Sequence, residues 1–412
     1  MMSTADLRVV IVGAGIGGLT LALLLRRYGI AAEVVEQAPE LREAGAAIAL
    51  ASNATRVLEH LGLGENLAAA STEPAAVIHR NGHDGHLVSA HPMGESYRRT
   101  FGAPFYGLHR AGLQQMLAGA WGPGHLHLGC RAETLEQRGR VARVHCATGV
   151  TFDADLVVGA DGVHSQVRRW VTGSDHEPVY SQTSGFRGLV PARRLPSLPA
   201  PGALQFWMGP GAHLLHYPIA DGQLINFLAV IEGPARWTAP GWMEAARPGA
   251  HLAPFTGWHP AVTQMLSAVP QSPRWGLFTL PPLPRWSRGP VVLLGDAAHA
   301  MLPHQGQGAN QAIEDAAVLA AELDGAADLA TALRRYTCRR RVHTRQVQAA
   351  SWAASAALHL TEGPAARQRD AYLARLPERL AWIHGHDVLA EAAGRIYRPG
   401  PQNRPAVSLP CT

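Results

Sequence analysis

Side chains that could move a proton occur in two places of the 412-residue chain. His304 lies in a predicted loop, and His213 and Tyr217 lie in the run 212–218. A neutral imidazole can accept a proton near neutral pH. Because alternate residues of a strand point to one side, we expect His213 and Tyr217 to line the substrate pocket together and His216 to point away from it. We predict His304, His213 and Tyr217 as catalytic groups; the alternative for each histidine is a side chain that only satisfies hydrogen bonds within the fold.

A glycine-rich turn separates the first predicted strand, residues 7–12, from the first predicted helix, residues 19–28. Gly13 would permit the tight turn, Gly15 would let a pyrophosphate approach the backbone, and Gly18 would let the helix pack on the strand. The free N–H groups at a helix N-terminus attract phosphate. This order of elements predicts a dinucleotide site.

Glu36 stands at the end of the second predicted strand, residues 32–35. An acid at this point can accept both ribose hydroxyls of an adenosine and would repel a 2′-phosphate. The turn and Glu36 therefore favour FAD or NAD over NADP as the bound dinucleotide, without choosing between FAD and NAD.

Two further apolar runs end in acidic residues, Asp161 and Asp296. Asp296 could accept a hydroxyl of a ribitol chain, which FAD has and NAD lacks. The stretch Gly308, Ala309 and Asn310 begins a predicted helix, whose N–H groups and positive dipole end would face the electron-rich edge of a reduced flavin. Asp161 has a structural alternative, because it could cap the helix that follows it.

The three motifs at residues 13–18, 159–162 and 295–296 together resemble the single-component FAD-dependent aromatic hydroxylases, the para-hydroxybenzoate hydroxylase family. The order and spacing of the motifs are similar from residue 7 to about residue 390. The stretch 295–315 most resembles the branch of salicylate hydroxylase, 3-hydroxybenzoate 6-hydroxylase and 6-hydroxynicotinate 3-monooxygenase.

Two arginines enter the predicted site through this resemblance alone. Arg42 resembles the family arginine near the adenosine and pyrophosphate, and Arg110 resembles the one that touches the FAD phosphate from a helix start. Taken singly, each could equally be a surface ion-pair residue. The resemblance implies the following FAD-binding set: Gly13, Gly15, Gly18, Glu36, Arg42, Arg110, Asp161, Asp296, Gly308, Ala309 and Asn310.

The activity that the resemblance implies is hydroxylation of a small aromatic or heteroaromatic compound, phenolic or an aromatic acid. FAD would be the cofactor, NADH or NADPH the transient electron donor and O2 the oxidant, with a flavin C4a-hydroperoxide as the hydroxylating species. Two alternatives stay open: an oxygen-independent flavin reductase or dehydrogenase, and a non-catalytic flavin- or NAD-binding regulator. Substrate identity, regiochemistry, the choice of nicotinamide donor, and decarboxylating or epoxidising variants also stay open.

The composition excludes several other chemistries. All 36 basic residues are arginine, so a Schiff-base lysine, a pyridoxal phosphate site and a lysine-containing phosphate loop are impossible. The net charge of +5 is spread along the chain except at 334–345, for which we expect a solvated helix face and not a nucleic-acid site. The apolar run 9–25 is too short to span a membrane. The histidines and the four cysteines have no metal-ligand spacing, so no metal is expected.

These elements predict an α/β protein with a FAD-binding Rossmann-like (GR2-type) domain, an inserted, mostly antiparallel substrate sheet and C-terminal helices. We expect a cytoplasmic protein, because no secretory signal is apparent. We also expect a monomer or a homodimer. The predicted boundaries are 1–72, 106–178 and 284–345 for the FAD-binding domain, 73–105 and 179–283 for the substrate domain, 346–395 for a C-terminal helical segment and 396–412 for a tail.

Overall fold

The computed structural model describes residues 7–41, 47–360 and 363–394; the predicted tail 396–412 and Arg42 lie outside these ranges. The strands are β1 (Val9–Val12), β2 (Ala32–Val35), β3 (Ala47–Leu50), β4 (Ala76–Asn81), β5 (Leu87–Pro92), β6 (Tyr106–His109), β7 (Leu126–His127), β8 (Ala132–Arg138), β9 (Val141–Cys146), β10 (Thr151–Ala154), β11 (Leu156–Gly159), β12 (Val179–Pro191), β13 (Leu204–Gly209), β14 (Ala212–Ile219), β15 (Leu224–Glu232), β16 (Met243–Glu244), β17 (Arg274–Thr279), β18 (Ser287–Arg288) and β19 (Val291–Leu293).

The helices are α1 (Ile16–Arg27), α2 (Ser52–His60), α3 (Gly64–Ala70), α4 (Glu95–Phe101), α5 (Arg110–Trp121), α6 (Gln166–Thr172), α7 (Pro260–Ser267), α8 (Asp296–His299), α9 (Gly308–Gly325), α10 (Leu329–Leu358), α11 (Gly363–Leu373), α12 (Leu376–His384) and α13 (Val388–Ala392).

A six-stranded sheet in the order β18-β19-β11-β1-β2-β7 forms the first layer. Its strands are parallel except β18, which runs antiparallel to β19. The apolar runs of β1, β11 and β19 are fully buried, as expected for parallel strands covered on both faces. The α/β class and the Rossmann-like arrangement of the prediction are therefore confirmed.

Helices α1 and α9 pack closely against each other beside this sheet. Gly17 makes the approach possible, because a Cβ atom at this position would lie 2.6 Å from Leu294 Cδ2 and 3.0 Å from Ala312 Cβ. The N-terminal turn of α1 is thereby held next to the N-terminal turn of α9. Helix α1 begins at Ile16, three residues earlier than the predicted start at Leu19.

An eight-stranded sheet in the order β16-β17-β12-β15-β14-β13-β4-β5 forms the second layer. Its neighbouring strands are antiparallel except the pair β13 and β4, which confirms the prediction of a mostly antiparallel sheet. One face carries a core that includes Trp207, Leu214 and Phe227 and packs on α7. The strands of segments 73–105 and 179–283 belong to this sheet.

The C-terminal segment closes the space in front of the other face with α10 to α12. Helix α10 runs without a break from Leu329 to Leu358, so the boundary predicted at 345 falls inside one helix. The chain has no glycine or proline over 329–358 that could end the helix there. In the described part of the chain, none of the helices has the length and apolar character needed to cross a membrane.

Candidate active site

The three predicted motifs lie at the ends of three consecutive parallel strands, β1, β11 and β19. Val12 is opposite Gly159, and Gly159 is opposite Leu293. The hydrogen bond from Ala160 N–H to Val12 O is 2.8 Å and the one from Leu294 N–H to Gly159 O is 2.9 Å, so the pairing continues to the strand ends. In the sheet, β2 lies on one side of β1, and β11 and β19 lie on the other side. The strand order therefore reverses at β1. Ligands of open α/β sheets bind at such a reversal of strand order.

The glycines of the first turn differ in their surroundings. Gly13 has a φ of +111°, and a Cβ there would lie 2.4 Å from Ala160 O. A Cβ on Gly18 would lie 2.1 Å from Gly13 O, so both glycines are required for packing. At Gly15 a Cβ would meet no atom within 4 Å, and no side chain caps the start of α1. The turn thus leaves room and unsatisfied N–H groups where a pyrophosphate would approach.

Glu36 follows β2 and is tied to the same turn. Its Oε2 accepts the Ala14 N–H at 2.8 Å and its Oε1 accepts the Ala38 N–H at 2.9 Å. Each carboxylate oxygen keeps a further lone pair for a ribose hydroxyl. The carboxylate is therefore fixed in position at the strand end.

Arg110 is the first residue of α5, the helix that packs on α1. Gln114, one turn later, donates from Nε2 to Ala14 O at 2.8 Å. Residues four apart share a helix face. Arg110 therefore starts the face of α5 that meets the glycine-rich turn.

Asp161 stabilises the start of α6, whose N-cap residue is Ser165. Such a helix-start role was the structural alternative to a nucleotide contact. Its Oδ1 accepts the Ser165 hydroxyl at 2.5 Å and its Oδ2 accepts the Val167 N–H at 3.1 Å. Burial raises the pKa of this carboxyl, with these hydrogen bonds opposing the rise. A contact with FAD stays a prediction for Asp161.

Asp296 is exposed, although its neighbours Gly295 and Ala297 are buried. Its carboxylate forms no hydrogen bond or ion pair with any described residue, and a Cβ on Gly308 would lie 3.9 Å from its Oδ1. The carboxylate thus stands beside the N-terminus of α9. An exposed acceptor at a parallel strand end suits a polyol hydroxyl.

The first turn of α9 is held by the side chain of Asn310. Its Oδ1 accepts the Ala51 N–H at 2.8 Å, and its Nδ2 donates to Ala49 O at 3.0 Å and to Gly306 O at 2.7 Å. No side chain caps this helix, so the N–H groups of Gly308 and Ala309 stay directed outward. The strand ends, the glycine-rich turn and this helix start fit the parts of FAD.

A buried ion network behind Asp296 was not predicted. Arg340 donates from Nε to Asp315 at 2.6 Å and from Nη1 to Glu314 at 2.6 Å. Asp315 in turn accepts the Gly295 N–H at 2.9 Å and lies 2.5 Å from His299 Nε2. The interpretation of 334–345 as a solvated face is therefore wrong for Arg340, which is 1% exposed and supports the strand end before Asp296.

Glu314, His343 and His386 lie close enough together to hold a metal ion. Glu314 Oε2 already accepts from Arg340 at 2.6 Å and lies 2.7 Å from His386 Nδ1. Burial lowers the pKa of His386, but Glu314 and Glu391 together outweigh burial and raise the pKa to about 9. A protonated His386 and a guanidinium would both repel a cation, so we assign the group to the ion network.

A cavity of about 390 Å³ lies between the eight-stranded sheet and the C-terminal helices. Its wall is mostly apolar, with polar groups at a few points. The lining residues that carry the arguments below are Tyr97, Phe206, Tyr217, His304, Arg369 and His384. Gln305 and Gly306, which precede the start of α9, also line it and connect the cavity to the predicted flavin site.

His304 and Tyr217 both line this cavity, as predicted. Neither ring nitrogen of His304 has a hydrogen-bond partner in the described residues. Burial lowers the pKa of His304 to about 3, so its ring is neutral and one of its nitrogens can accept a hydrogen bond. Burial likewise raises the pKa of the Tyr217 phenol.

His213 is not among the residues that line the cavity. It stands behind His304 with ring centroids 5.1 Å apart, and its Nδ1 is 2.9 Å from His359 Nε2. His359 Nδ1 lies 4.0 Å from Oε1 of the exposed Glu232. The prediction that His213 and Tyr217 line the pocket together is therefore wrong for His213, because His304 lies between His213 and the cavity. His216 does not line the cavity, as predicted.

Comparison with protein families gives a match to the FAD binding domain model over residues 6–209 and 282–351. The chain is 38% identical to 3-amino-4-hydroxybenzoate 2-monooxygenase of Streptomyces cremeus, over 97% of this chain and 100% of that protein. It is 34% identical to salicylate hydroxylase of Pseudomonas putida, over 95% of each chain. The second relative belongs to the branch indicated by the 295–315 stretch.

Solved structures agree with these relatives. A salicylate hydroxylase substrate complex superposes with a TM-score of 0.83 at 29% identity, covering 96% of this chain and 99% of that chain. Klebsiella pneumoniae HpxO complexed with FAD and uric acid superposes with a TM-score of 0.79 at 26% identity, covering 95% of this chain and 96% of that chain.

Proposed function

Because the chain belongs to the FAD-binding-domain family of aromatic monooxygenases, we propose that it hydroxylates a small aromatic acid that also carries a phenolic hydroxyl. NADH or NADPH and O2 would be the co-substrates. The observation that carries this proposal is the mostly apolar cavity next to the predicted flavin site, with His304, which has no hydrogen-bond partner among the described residues, in its wall. Its volume of about 390 Å³ is near the lower end of the usual range for ligand pockets, which suits a single aromatic ring.

Bound FAD would supply the electron transfer from NADH or NADPH and the activation of O2. Gly15 and the start of α1 would hold its pyrophosphate, Glu36 its adenosine ribose and Asp296 its ribitol chain. The N–H groups at Gly308 and Ala309 would face the flavin ring. The remaining work of the chain is to orient the substrate ring, exclude water and remove a proton from the phenol.

Apolar side chains of the eight-stranded sheet would hold the substrate ring. Phe206 and Leu215 are opposite each other on β13 and β14 and both line the cavity. They keep water from the reacting atoms and leave polar contacts to a few directed groups. Such a mostly apolar wall with a few placed polar groups is typical of small-molecule sites.

His304 would accept the phenolic proton at one of its ring nitrogens. A phenolate donates more electron density to its ring than a phenol does, which favours attack by the ring on an electrophilic oxygen. His213 and His359 continue from His304 toward the exposed Glu232. His213 and His359 are within hydrogen-bond distance of each other, whereas His304 and His213 meet only through a ring contact.

The proposal is tested with the FAD-loaded protein and a panel of aromatic acids and phenols that includes 3-amino-4-hydroxybenzoate and salicylate. We expect at least one aromatic acid to accelerate both oxygen uptake and NADH or NADPH oxidation. Oxygen uptake that stays at the ligand-free rate across the panel would contradict the proposal and favour a flavin-binding regulator. Anaerobic turnover with another electron acceptor would favour a reductase or dehydrogenase.

A further inference from the structure

His384 ends α12 with its ring in the wall of the cavity. The residue is 7% exposed, and Pro377 and Leu380 of the same helix line the cavity with it. The rings of Phe101 and Phe105 surround the imidazole, with centroid distances of 5.6 Å and 6.3 Å. The ring is thus confined by aromatic neighbours and has little freedom to turn.

A chain of hydrogen bonds determines which nitrogen of His384 carries the proton. Tyr97 Oη accepts the Ser52 N–H at 3.2 Å and lies 3.0 Å from His384 Nδ1. A tyrosine hydroxyl has one hydrogen, and Nδ1 is its remaining partner among the described residues. Because an unpaired buried hydroxyl is costly, Tyr97 donates to Nδ1. The proton of the neutral ring must then be on Nε2.

The backbone around His384 is anchored to the same helix α2. The hydroxyl of Ser52 donates to His384 O, and Arg56 Nη1 donates to His386 O at 3.0 Å. Backbone and ring are therefore both fixed before a substrate enters. A donor held in this way loses little entropy when it forms a hydrogen bond.

No carboxylate in the described lining of the cavity would repel an anion. The described lining residues include Arg369 and no aspartate or glutamate. Arg369 is paired with Asp370 at 2.8 Å and also donates to Leu360 O. His384 Nε2 forms no hydrogen bond with any described residue, so its N–H is open to a substrate oxygen.

We infer that His384 Nε2–H donates a hydrogen bond to a carboxylate oxygen of the substrate and that Tyr97 is the residue that positions it. This inference rests on the proposed function and names the part of the substrate that the α12 wall recognises. His304 would then meet the phenol and His384 the carboxylate of one ring.

The test measures ligand affinity in the FAD-loaded protein from the change in flavin absorbance on titration. The probes are 3-amino-4-hydroxybenzoate and 2-aminophenol, which is the same ring without the carboxylate. We expect His384→Phe to raise the Kd of the acid by about tenfold or more and that of 2-aminophenol by less than about threefold. Tyr97→Phe should weaken the acid selectively but by less, and His384→Gln, which keeps an N–H donor, should restore part of the affinity.

Tyr180→Phe is the matched control, because it removes a buried hydroxyl outside the cavity and should change neither Kd. Equal losses for both probes, or no loss in His384→Phe, would overturn the inference. If His384→Phe fails to bind FAD, the selectivity of Tyr97→Phe decides the question. Failure of the proposed function is distinguished separately, because it appears as absent oxygen uptake in the unsubstituted protein while the two Kd values are still measurable.

Discussion

Individual residues of this site divide into those open to a ligand and those already engaged in the fold. The side chains of Asp296 and His304 form no hydrogen bond with the described residues, whereas those of Asp161 and Asn310 are bound to backbone groups. Open groups are the ones whose replacement should change binding or turnover without unfolding the protein. Engaged groups should change stability or the position of their neighbours.

His304→Gln should slow product formation by about 10²-fold or more while FAD stays bound, because the amide cannot accept the phenolic proton. Product formation is followed by chromatography and FAD content by absorbance. His83→Gln, on an exposed histidine outside the main cavity, is the control and should be unchanged. Equal product formation in His304→Gln and the unsubstituted protein would exclude His304 as the base.

Asp296→Asn should raise the Kd of FAD by about tenfold, because a neutral amide accepts a ribitol hydroxyl less strongly than a carboxylate does. The Kd is measured by flavin fluorescence quenching on titration. Asp175→Asn is the matched control, an exposed aspartate that pairs with Arg169 on the surface. Unchanged FAD affinity in Asp296→Asn would contradict the role of this carboxylate.

Helices α9 and α10 are connected by buried ion pairs. The guanidinium of Arg340 balances Glu314 and Asp315, and Asp315 supports the end of β19 through the Gly295 N–H. A buried pair that loses one partner leaves an uncompensated charge. The network therefore couples α10 to the end of β19, which Asp296 follows.

Arg340→Met should lower the free energy of unfolding by about 3–5 kcal/mol, measured by urea denaturation, because it removes the guanidinium that pairs with two buried carboxylates. Arg335→Met is the control. Arg335 is exposed and lies 3.9 Å from Glu322, so its loss should cost about 1 kcal/mol or less. Similar losses for the two variants would show that the Arg340 network contributes no more than a surface pair.

The sequence predicted the elements whose signals are local. The glycine-rich turn, Glu36 after β2 and the helix start at Gly308 each lie within one short run of residues, and each stands where its motif indicated. Arg340 and His384 could not be predicted, because their partners Asp315 and Tyr97 are brought to them only by tertiary packing. The alternation of side chains over 213–217 correctly predicted that Tyr217 faces the cavity. It could not show that the ring of His304, from a distant loop, would pack against His213.

For the whole molecule, buried histidines set how stability depends on pH. Burial lowers the pKa of His79, His216 and His304 to about 3 and that of His384 to about 4. The unfolded chain takes up protons on these groups below pH of about 6.5, whereas the folded chain does not. His386 opposes this trend, because its raised pKa stabilises the fold below about 6.5 and loses that effect as the pH rises through about 9.

The free energy of unfolding should therefore fall by several kcal/mol between pH 7 and pH 5.5, at up to about 1.4 kcal/mol per pH unit for each such histidine. Urea denaturation at a series of pH values measures it. His304→Gln should show a shallower decline, because one of the buried histidines no longer titrates. A stability that is constant or rises toward pH 5.5 would contradict the burial of these rings in neutral form.

Incorporation of oxygen from ¹⁸O2 shows whether the cavity beside the three strand ends brings an aromatic ring to activated dioxygen. The FAD-loaded protein is supplied with NADH or NADPH, ¹⁸O2 and an aromatic acid that stimulates oxygen uptake. We predict a ring-hydroxylated product that carries one ¹⁸O atom. A product without ¹⁸O, or consumption of oxygen with hydrogen peroxide as the sole oxygen-derived product for every stimulating acid, would contradict it.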